Sequence, residues 1–374
     1  MTTTTIAATT TTKVISEDHI TLPGLQPSPY YEAAHELIEA AAQLGQSRTA
    51  SILRAFCLSH LFRQRERIFA EPGNPVPAFR RLLEETTAMV RAMEACRFAE
   101  LGGEAPWQTE TAENVALKTG EHYGNLFKNF SGESYFEETA RLLKARLERN
   151  GIGLETIQGK SVLDDGCGGG RYTAAWRKLG AQPAVGVDIS EINIGDARRR
   201  AEAAGLDGIE FELSDVLNLR FAADTFDIVF SNGVLHHTTD WRRGINELVR
   251  VLKPGGLGWL YLIENPGGIF WESIEILRAI MRHEPRDAAR QALALAGLPG
   301  NRIFYMVDHV MAPINIRLTA EEIEEQLRKA GASGIRRLTR GADFDRVERI
   351  HQNDPYAFEK YGHGENRHVF SKKK

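Results

Sequence analysis

The segment Val162-Leu163-Asp164-Asp165-Gly166-Cys167-Gly168-Gly169-Gly170 constrains this chain more than any other. A short apolar run that breaks into a glycine-rich turn and gives way at once to a helical pattern places bare backbone at a strand's carboxyl end. Glycine adopts positive φ at little cost and carries no Cβ, so a ligand can approach such a turn closely. The turn is not the dinucleotide fingerprint G-x-G-x-x-G: counted from Gly166 the closing position is Arg171, and from Gly168 it is Thr173. The spacing is G-x-G-x-G, preceded by Asp164, whose carboxylate would repel a phosphate and suits a cationic ligand.

Beyond this turn, short apolar runs at Ser161–Asp165, Ala184–Asp188, Ile209–Leu213, Phe226–Phe230 and Leu257–Ile263 alternate with helical patterns at Thr173–Leu179, Ser190–Ala204 and Trp241–Leu252. Strands and helices alternating in this way build a parallel sheet with helices on both faces, a doubly wound, Rossmann-like α/β domain. Two further strands are expected near Ile335–Thr339 and His368–Ser371, after a helix from Thr319 to Ala330 that opens on the capping-box pair Thr319 and Glu322. The insertion at 265–317 follows the fifth strand, where such sheets bind ligands. Its Phe270, Trp271, Phe304, Met306 and Met311 suit either a cap that encloses an apolar acceptor or the core of that cap.

Residues 1–27, a Thr-rich tract without periodicity, are expected to be disordered. Residues 28–110 form a helical amino-terminal module and 111–374 the α/β domain. Three helices are expected between Tyr30 and Glu100, with Pro72, Gly73, Pro75 and Pro77 separating the last two. The module reads as a docking or dimerisation element, with a homodimer as the oligomer it would give. At the other end, Lys372–Lys374 read as a solvated tail, reached through a turn at Tyr361–Arg367.

Composition narrows the partners. Lys and Arg total 46 against 50 Asp and Glu, a net charge of −4, so nucleic acid is not expected. Cys57, Cys96 and Cys167 are odd in number and far apart, which supports neither a disulfide framework nor a metal site and fits the cytoplasm. No run is long and apolar enough to predict a membrane span.

Asp188 closes the second strand, where a carboxylate accepts hydrogen bonds from ribose hydroxyls. Asp215 follows the third, where an acid beside a backbone amide can meet an adenine edge. Together these describe an adenosine carrying positive charge. The blocks VLDDGCGGG, GVDIS at 186–190, LSDV at 213–216, FDIVFSNGVLHH at 226–237 and LKPGG at 252–256 resemble the core of class I S-adenosylmethionine-dependent methyltransferases, type-11 small-molecule group. The resemblance extends over about residues 120–374. It implies a seven-stranded sheet and a cofactor site of Asp164, Gly166, Gly168, Gly170, Asp188, Ile189, Asp215, Val216 and Asn232. It also implies a lid at 119–136, in which Tyr123 and Phe127 shield the sulfonium; an aromatic linker packed under the sheet is the other reading of that segment. Asp165 departs from the family, which has an apolar residue there, and is expected to face solvent or to pair with Arg171 or Lys160. Cys167 reads as a small packing residue.

Methyl transfer is an in-line displacement that asks the protein to align a nucleophile and exclude water. It requires no metal, and a base only where the acceptor must lose a proton. The candidates for that base are His237 in the pair His236-His237, Glu264 after the fifth strand, and His309 in the run Tyr305-Met306-Val307-Asp308-His309. Each also has a structural reading: loop positioning for the histidine pair, a strand-end carboxylate bonded to amides for Glu264, and a satisfied helical histidine for His309. The function expected is methyl transfer to a small molecule; the alternative is a cofactor-binding scaffold with a methyltransferase-like core.

Overall fold

The computed structural model describes residues 28–95, 132–338 and 346–374. Helices α1 (Tyr31–Gln43), α2 (Arg48–Ala70), α3 (Pro75–Ala95) and α4 (Gly132–Arg149) come first. Ser47 caps α2 by accepting the Ala50 amide at 3.1 Å, and Pro75 opens α3 in the first turn, where a missing N–H breaks no helical bond. The alternating part follows as β1 (Val162–Asp165), α5 (Arg171–Lys178), β2 (Ala184–Asp188), α6 (Glu191–Ala203), β3 (Ile209–Leu213), β4 (Phe226–Asn232), α7 (Trp241–Val251) and β5 (Leu252–Leu262). The insertion folds as α8 (Gly268–Ile280), α9 (Arg286–Leu295) and α10 (Gly300–Met311). Then come α11 (Ala320–Lys329), β6 (Ala332–Arg337), α12 (Arg346–Asn353), α13 (Ala357–Tyr361) and β7 (Asn366–Lys372).

The strands form one seven-stranded sheet in the order β3-β2-β1-β4-β5-β7-β6. Strands β1 to β5 pair in parallel, and β7 runs antiparallel to both β5 and β6. The order reverses between β1 and β4, so the topological switch point, where open α/β sheets hold their ligands, lies at the glycine turn after β1. Side chains alternate across the pleat. Leu163, Val185, Val229 and Leu260 pack on one face against Trp241, Ile245, Ile323 and Leu327. Val162, Ile228, Phe230 and Trp259 pack on the other against Leu143, Leu147 and Trp176.

The apolar faces of α1 to α3 are buried against the chain's own insertion: Leu37, Leu58, Phe62, Phe79 and Leu83 share a core with Ile274, Leu277, Val307 and Val310. Arg54, itself buried, crosses this junction, donating from Nη1 to Glu284 at 2.7 Å and from Nη2 to the Ala41 carbonyl and to that of the exposed Gly45. Ile52 and Phe56 are the large apolar side chains of α2 that remain exposed.

The capping box at α11 is present in full, with Thr319 and Glu322 each bonded to the other's amide. Two details differ from expectation. Lys372 is not part of a loose tail: β7 extends to it, and its ammonium donates to Asp224 at 2.6 Å and to the Arg250 carbonyl at 2.9 Å. Helices α12 and α13 fill a stretch to which the periodicity assigned no element. No helix among the described residues is long and apolar enough to cross a membrane.

Candidate active site

The turn after β1 is left-handed at each of its key glycines, with φ of +74° at Gly166, +52° at Gly168 and +77° at Gly170. It is also crowded. A Cβ on Gly166 would stand 2.4 Å from Val234 Cγ1, and one on Gly170 2.7 Å from the Phe211 ring, so no larger residue fits without displacing them. From the end of β2, Asp188 reaches across to hold the turn. Its Oδ2 accepts the Gly168 amide at 2.9 Å, while its Oδ1 accepts the Ser190 amide at 2.9 Å and Asn193 Nδ2 at 3.0 Å. Burial raises the Asp188 pKa, opposed by these donors and by the Ile189 amide.

Around this turn the other cofactor candidates present acceptors. Asp215 is exposed, with Oδ1 accepting the Leu217 amide at 2.8 Å in a local turn. Asn232 ends β4 with its Oδ1 buried and without a donor. Ile189 is half-buried and Val216 buried beside them. Carboxylates and an orphaned amide oxygen grouped around bare backbone fit a cationic nucleoside and not a diphosphate. Tyr123 and residues 119–131 of the expected lid lie outside the described residues, and 132–136 are the start of α4.

Adjacent positions on a strand face opposite ways, which separates the two aspartates of β1. Asp164 is buried and accepts Thr173 Oγ1 at 2.6 Å, and burial pushes its pKa up to about 7. Asp165 is neither solvent-facing nor paired with Arg171 or Lys160. It is 0% exposed, sits beside Ser231 across the β1/β4 register, and neither carboxyl oxygen has a hydrogen-bond partner. Arg171 is engaged elsewhere, donating to the Tyr135 carbonyl and to Thr139 Oγ1 on α4. Burial, opposed by the adjacent Ser231 hydroxyl and reinforced by the charges of Asp164 and Asp188, drives the Asp165 pKa well above the ordinary carboxylate value.

The histidine pair beyond β4 fastens loops. His236 Nδ1 accepts the Ile263 amide at 3.3 Å, and His237 Nδ1 lies 2.7 Å from the Ile314 carbonyl, which can only accept, so that nitrogen carries the proton. Burial and the neighbouring His237 lower the His236 pKa well below the ordinary imidazole value.

Glu264 and His309, by contrast, meet in one cavity of about 280 Å³, whose lining does not include His237. Glu264 Oε1 accepts Trp271 Nε1 at 2.6 Å, and its Oε2 is buried without a donor. Burial, with the Glu365 charge second, pushes the Glu264 pKa up to about 7. His309 Nδ1 donates to the Tyr305 carbonyl at 2.8 Å, and burial lowers its pKa, so the neutral ring keeps Nε2 as an acceptor. Tyr261, also in the lining, is the register partner of Asn232, so the cavity abuts the carboxyl edge where the glycine turn lies.

Sequence reasoning missed the remaining walls: Arg65, Glu66 and Phe69 from α2, Arg346 from α12, and Tyr361 and Glu365 before β7. A signal existed for one of them. Leu58, Phe62, Arg65 and Phe69 follow helical spacing on the buried face of α2, which makes Arg65 a charge at an apolar register.

Residues 163–260 match the family model described as a methyltransferase domain. This stretch contains every cofactor candidate named above except Tyr123, and it ends short of Glu264. The chain is 36% identical over 138 residues to Methyltransferase GfsG of Streptomyces halstedii, covering 36% of this chain and 48% of that protein. It is 37% identical over 130 residues to the Ubiquinone biosynthesis O-methyltransferase of Rhizobium etli, covering 35% and 52%. With the 27-O-demethylrifamycin SV methyltransferase of Amycolatopsis mediterranei the identity is 30% over 173 residues, covering 43% and 64%. The chain thus spans about half the length of the first two relatives. Among solved structures, the Phosphoethanolamine N-methyltransferase 2 of Haemonchus contortus with S-adenosyl-L-methionine gives a TM-score of 0.42 at 19% identity, over 71% of this chain and 58% of that one.

Proposed function

We propose that this chain, whose residues 163–260 belong to the class I S-adenosylmethionine-dependent methyltransferase family, transfers a methyl group to a hydroxyl of a small molecule held in the cavity beside Glu264. Bound S-adenosylmethionine supplies a methyl carbon activated by positively charged sulfur. The chain's own residues do the rest. The Gly166–Gly170 turn would give the cofactor close approach to backbone, Asp188 would accept from the ribose, Asp215 would meet the adenine edge, and Asn232, whose Oδ1 has no donor, would lie toward the cationic end.

The observation that carries this reading is Glu264 in the lining of a cavity that abuts Asn232 through Tyr261, with a carboxyl oxygen, Oε2, that accepts no hydrogen bond. A carboxyl with a pKa near 7 is matched to accepting a hydroxyl proton at neutral pH. In the transfer the acceptor oxygen would bond to the methyl carbon as the carbon–sulfur bond breaks, its electron pair returning to sulfur to leave a neutral thioether, and the hydroxyl proton would pass to Glu264, whose direction Trp271 fixes through Oε1. Two relatives support oxygen as the acceptor atom, since their names specify O-methylation or its demethyl precursor.

The test is transfer of labelled methyl from the cofactor into fractionated pools of small hydroxylated compounds. Label in a small-molecule product, lost in Glu264→Gln, supports the assignment. Cofactor binding with no label transferred across broad pools would favour a scaffold and overturn it.

A further inference from the structure

The cavity has an uneven balance of charge. Three glutamates line it, and each is already engaged. Glu66 receives both nitrogens of Arg302, at 2.9 and 2.6 Å. Glu365 is paired with Arg367. Glu264 is bonded to Trp271 and held toward its neutral form. Two arginines line the same space with no carboxylate in ion-pair contact among the described residues: Arg65 from α2 and Arg346 from the start of α12.

Arg65 is 2% exposed, which is an unusual place for a guanidinium without a counter-charge. It is clamped between the rings of Phe62 and Phe270, at 4.6 and 4.5 Å from their centroids. Its Nη1 donates to the Phe270 carbonyl at 3.2 Å and to Ser273 Oγ at 2.8 Å. A guanidinium carries five N–H donors in a rigid fork, so Nε and Nη2 remain to face the cavity. Such a fork, pre-oriented by two aromatic faces, matches an oxyanion. The walls beside it are flat: Phe270 stacks on Tyr361 at 5.4 Å, and Tyr305 lies 4.3 Å from His309.

We propose that the acceptor is a hydroxylated, flat-bodied carboxylate, anchored by Arg65 with Arg346 at the rim, so that its hydroxyl is presented to Glu264. This deepens the reading of the cavity as the acceptor site and rests on it. With Glu66 and Glu365 each ion-paired, the two arginines leave an excess of positive charge beside flat walls, which a planar carboxylate meets.

The experiment uses the full chain saturated with S-adenosylhomocysteine, titrated calorimetrically with hydroxybenzoates and hydroxycinnamates, their carboxamides, and hydroxyphenyl phosphates. Carboxylates should bind at least about tenfold more tightly than the matched amides and more tightly than the phosphates. In Arg65→Met that preference should fall to about one, while affinity for S-adenosylhomocysteine is unchanged, which a merely structural role for Arg65 would not produce. Should Arg65→Met fail to fold, Arg346→Met, at an exposed position, should lower the same ratio severalfold. Equal binding of carboxylates and amides in the native chain, or a preference for phosphates, overturns the proposal. Methyl transfer to uncharged hydroxyl compounds with no carboxylate preference would refute the anion anchor and leave the transfer reading standing. Arg65-dependent carboxylate binding without any methyl transfer would do the reverse.

Discussion

The Asp188 carboxylate accepts the Gly168 amide at 2.9 Å, so the end of β2 and the turn after β1 form one hydrogen-bonded unit at the switch point of the sheet. The residue expected to hold the ribose therefore also sets the shape of the turn. Asp188→Ala should weaken S-adenosylmethionine binding by about 1.5–3 kcal/mol, the range for hydrogen bonds to charged groups. Calorimetry on a variant shown to be folded by circular dichroism checks it, and an unchanged affinity would remove Asp188 from the site.

Asp165 predicts a pH dependence of stability. Its pKa in the folded chain lies well above the unfolded value of about 3.9, so the folded state binds the extra proton. Stability from this group is full below the unfolded value and is lost as pH rises through the folded one. Asp165→Asn keeps the neutral form at every pH. It should leave stability near native at low pH and raise it in alkaline buffer, where the native chain has to bury the ionised carboxylate or keep it protonated. Urea titrations at several pH values measure the difference, and a variant less stable at high pH would show that Asp165 is ionised and compensated.

The same acid shows what could be read in the sequence. The glycine turn, its strand and the capping box at Thr319 are local devices, in which a few adjacent residues fix the geometry, and they were legible. The fate of Asp165 depends on β4 placing Ser231 beside it and on α4 engaging Arg171, neither of which is visible in the neighbouring residues. The cavity was legible only in part for the same reason. Glu264 and His309 stand out as polar residues after a strand and in an insertion, whereas Arg65, Arg346 and Tyr361 reach it from α2, α12 and α13, brought together by tertiary packing alone.

The buried pair Arg54–Glu284 ties α2 to the insertion at 2.7 Å. Arg54→Met would leave Glu284 buried without its partner, and removing one member of such a pair costs about 3–5 kcal/mol. The double variant Arg54→Met with Glu284→Leu should recover most of that loss. A double-mutant cycle by chemical denaturation measures the coupling, and additive effects would mean that the pair does not hold the two segments together.

The proposed role of Glu264 predicts a pH profile for methyl transfer. A base must be ionised to accept a proton, so with a pKa of about 7 the rate should rise as pH increases through 7 and level off above it. Glu264→Gln should abolish this limb and lower kcat by about 10²–10⁴-fold. A profile that is flat between pH 6 and about 8 in the native chain would remove Glu264 as the base.

The most direct test of the whole account is a crystal structure with S-adenosylhomocysteine bound. The ribose is predicted on Asp188 and the adenine edge at Asp215, with the sulfur directed past Asn232 toward the cavity that holds Glu264. A ligand whose sulfur faces away from that cavity, or a Gly166–Gly170 turn that binds a diphosphate instead, would contradict it.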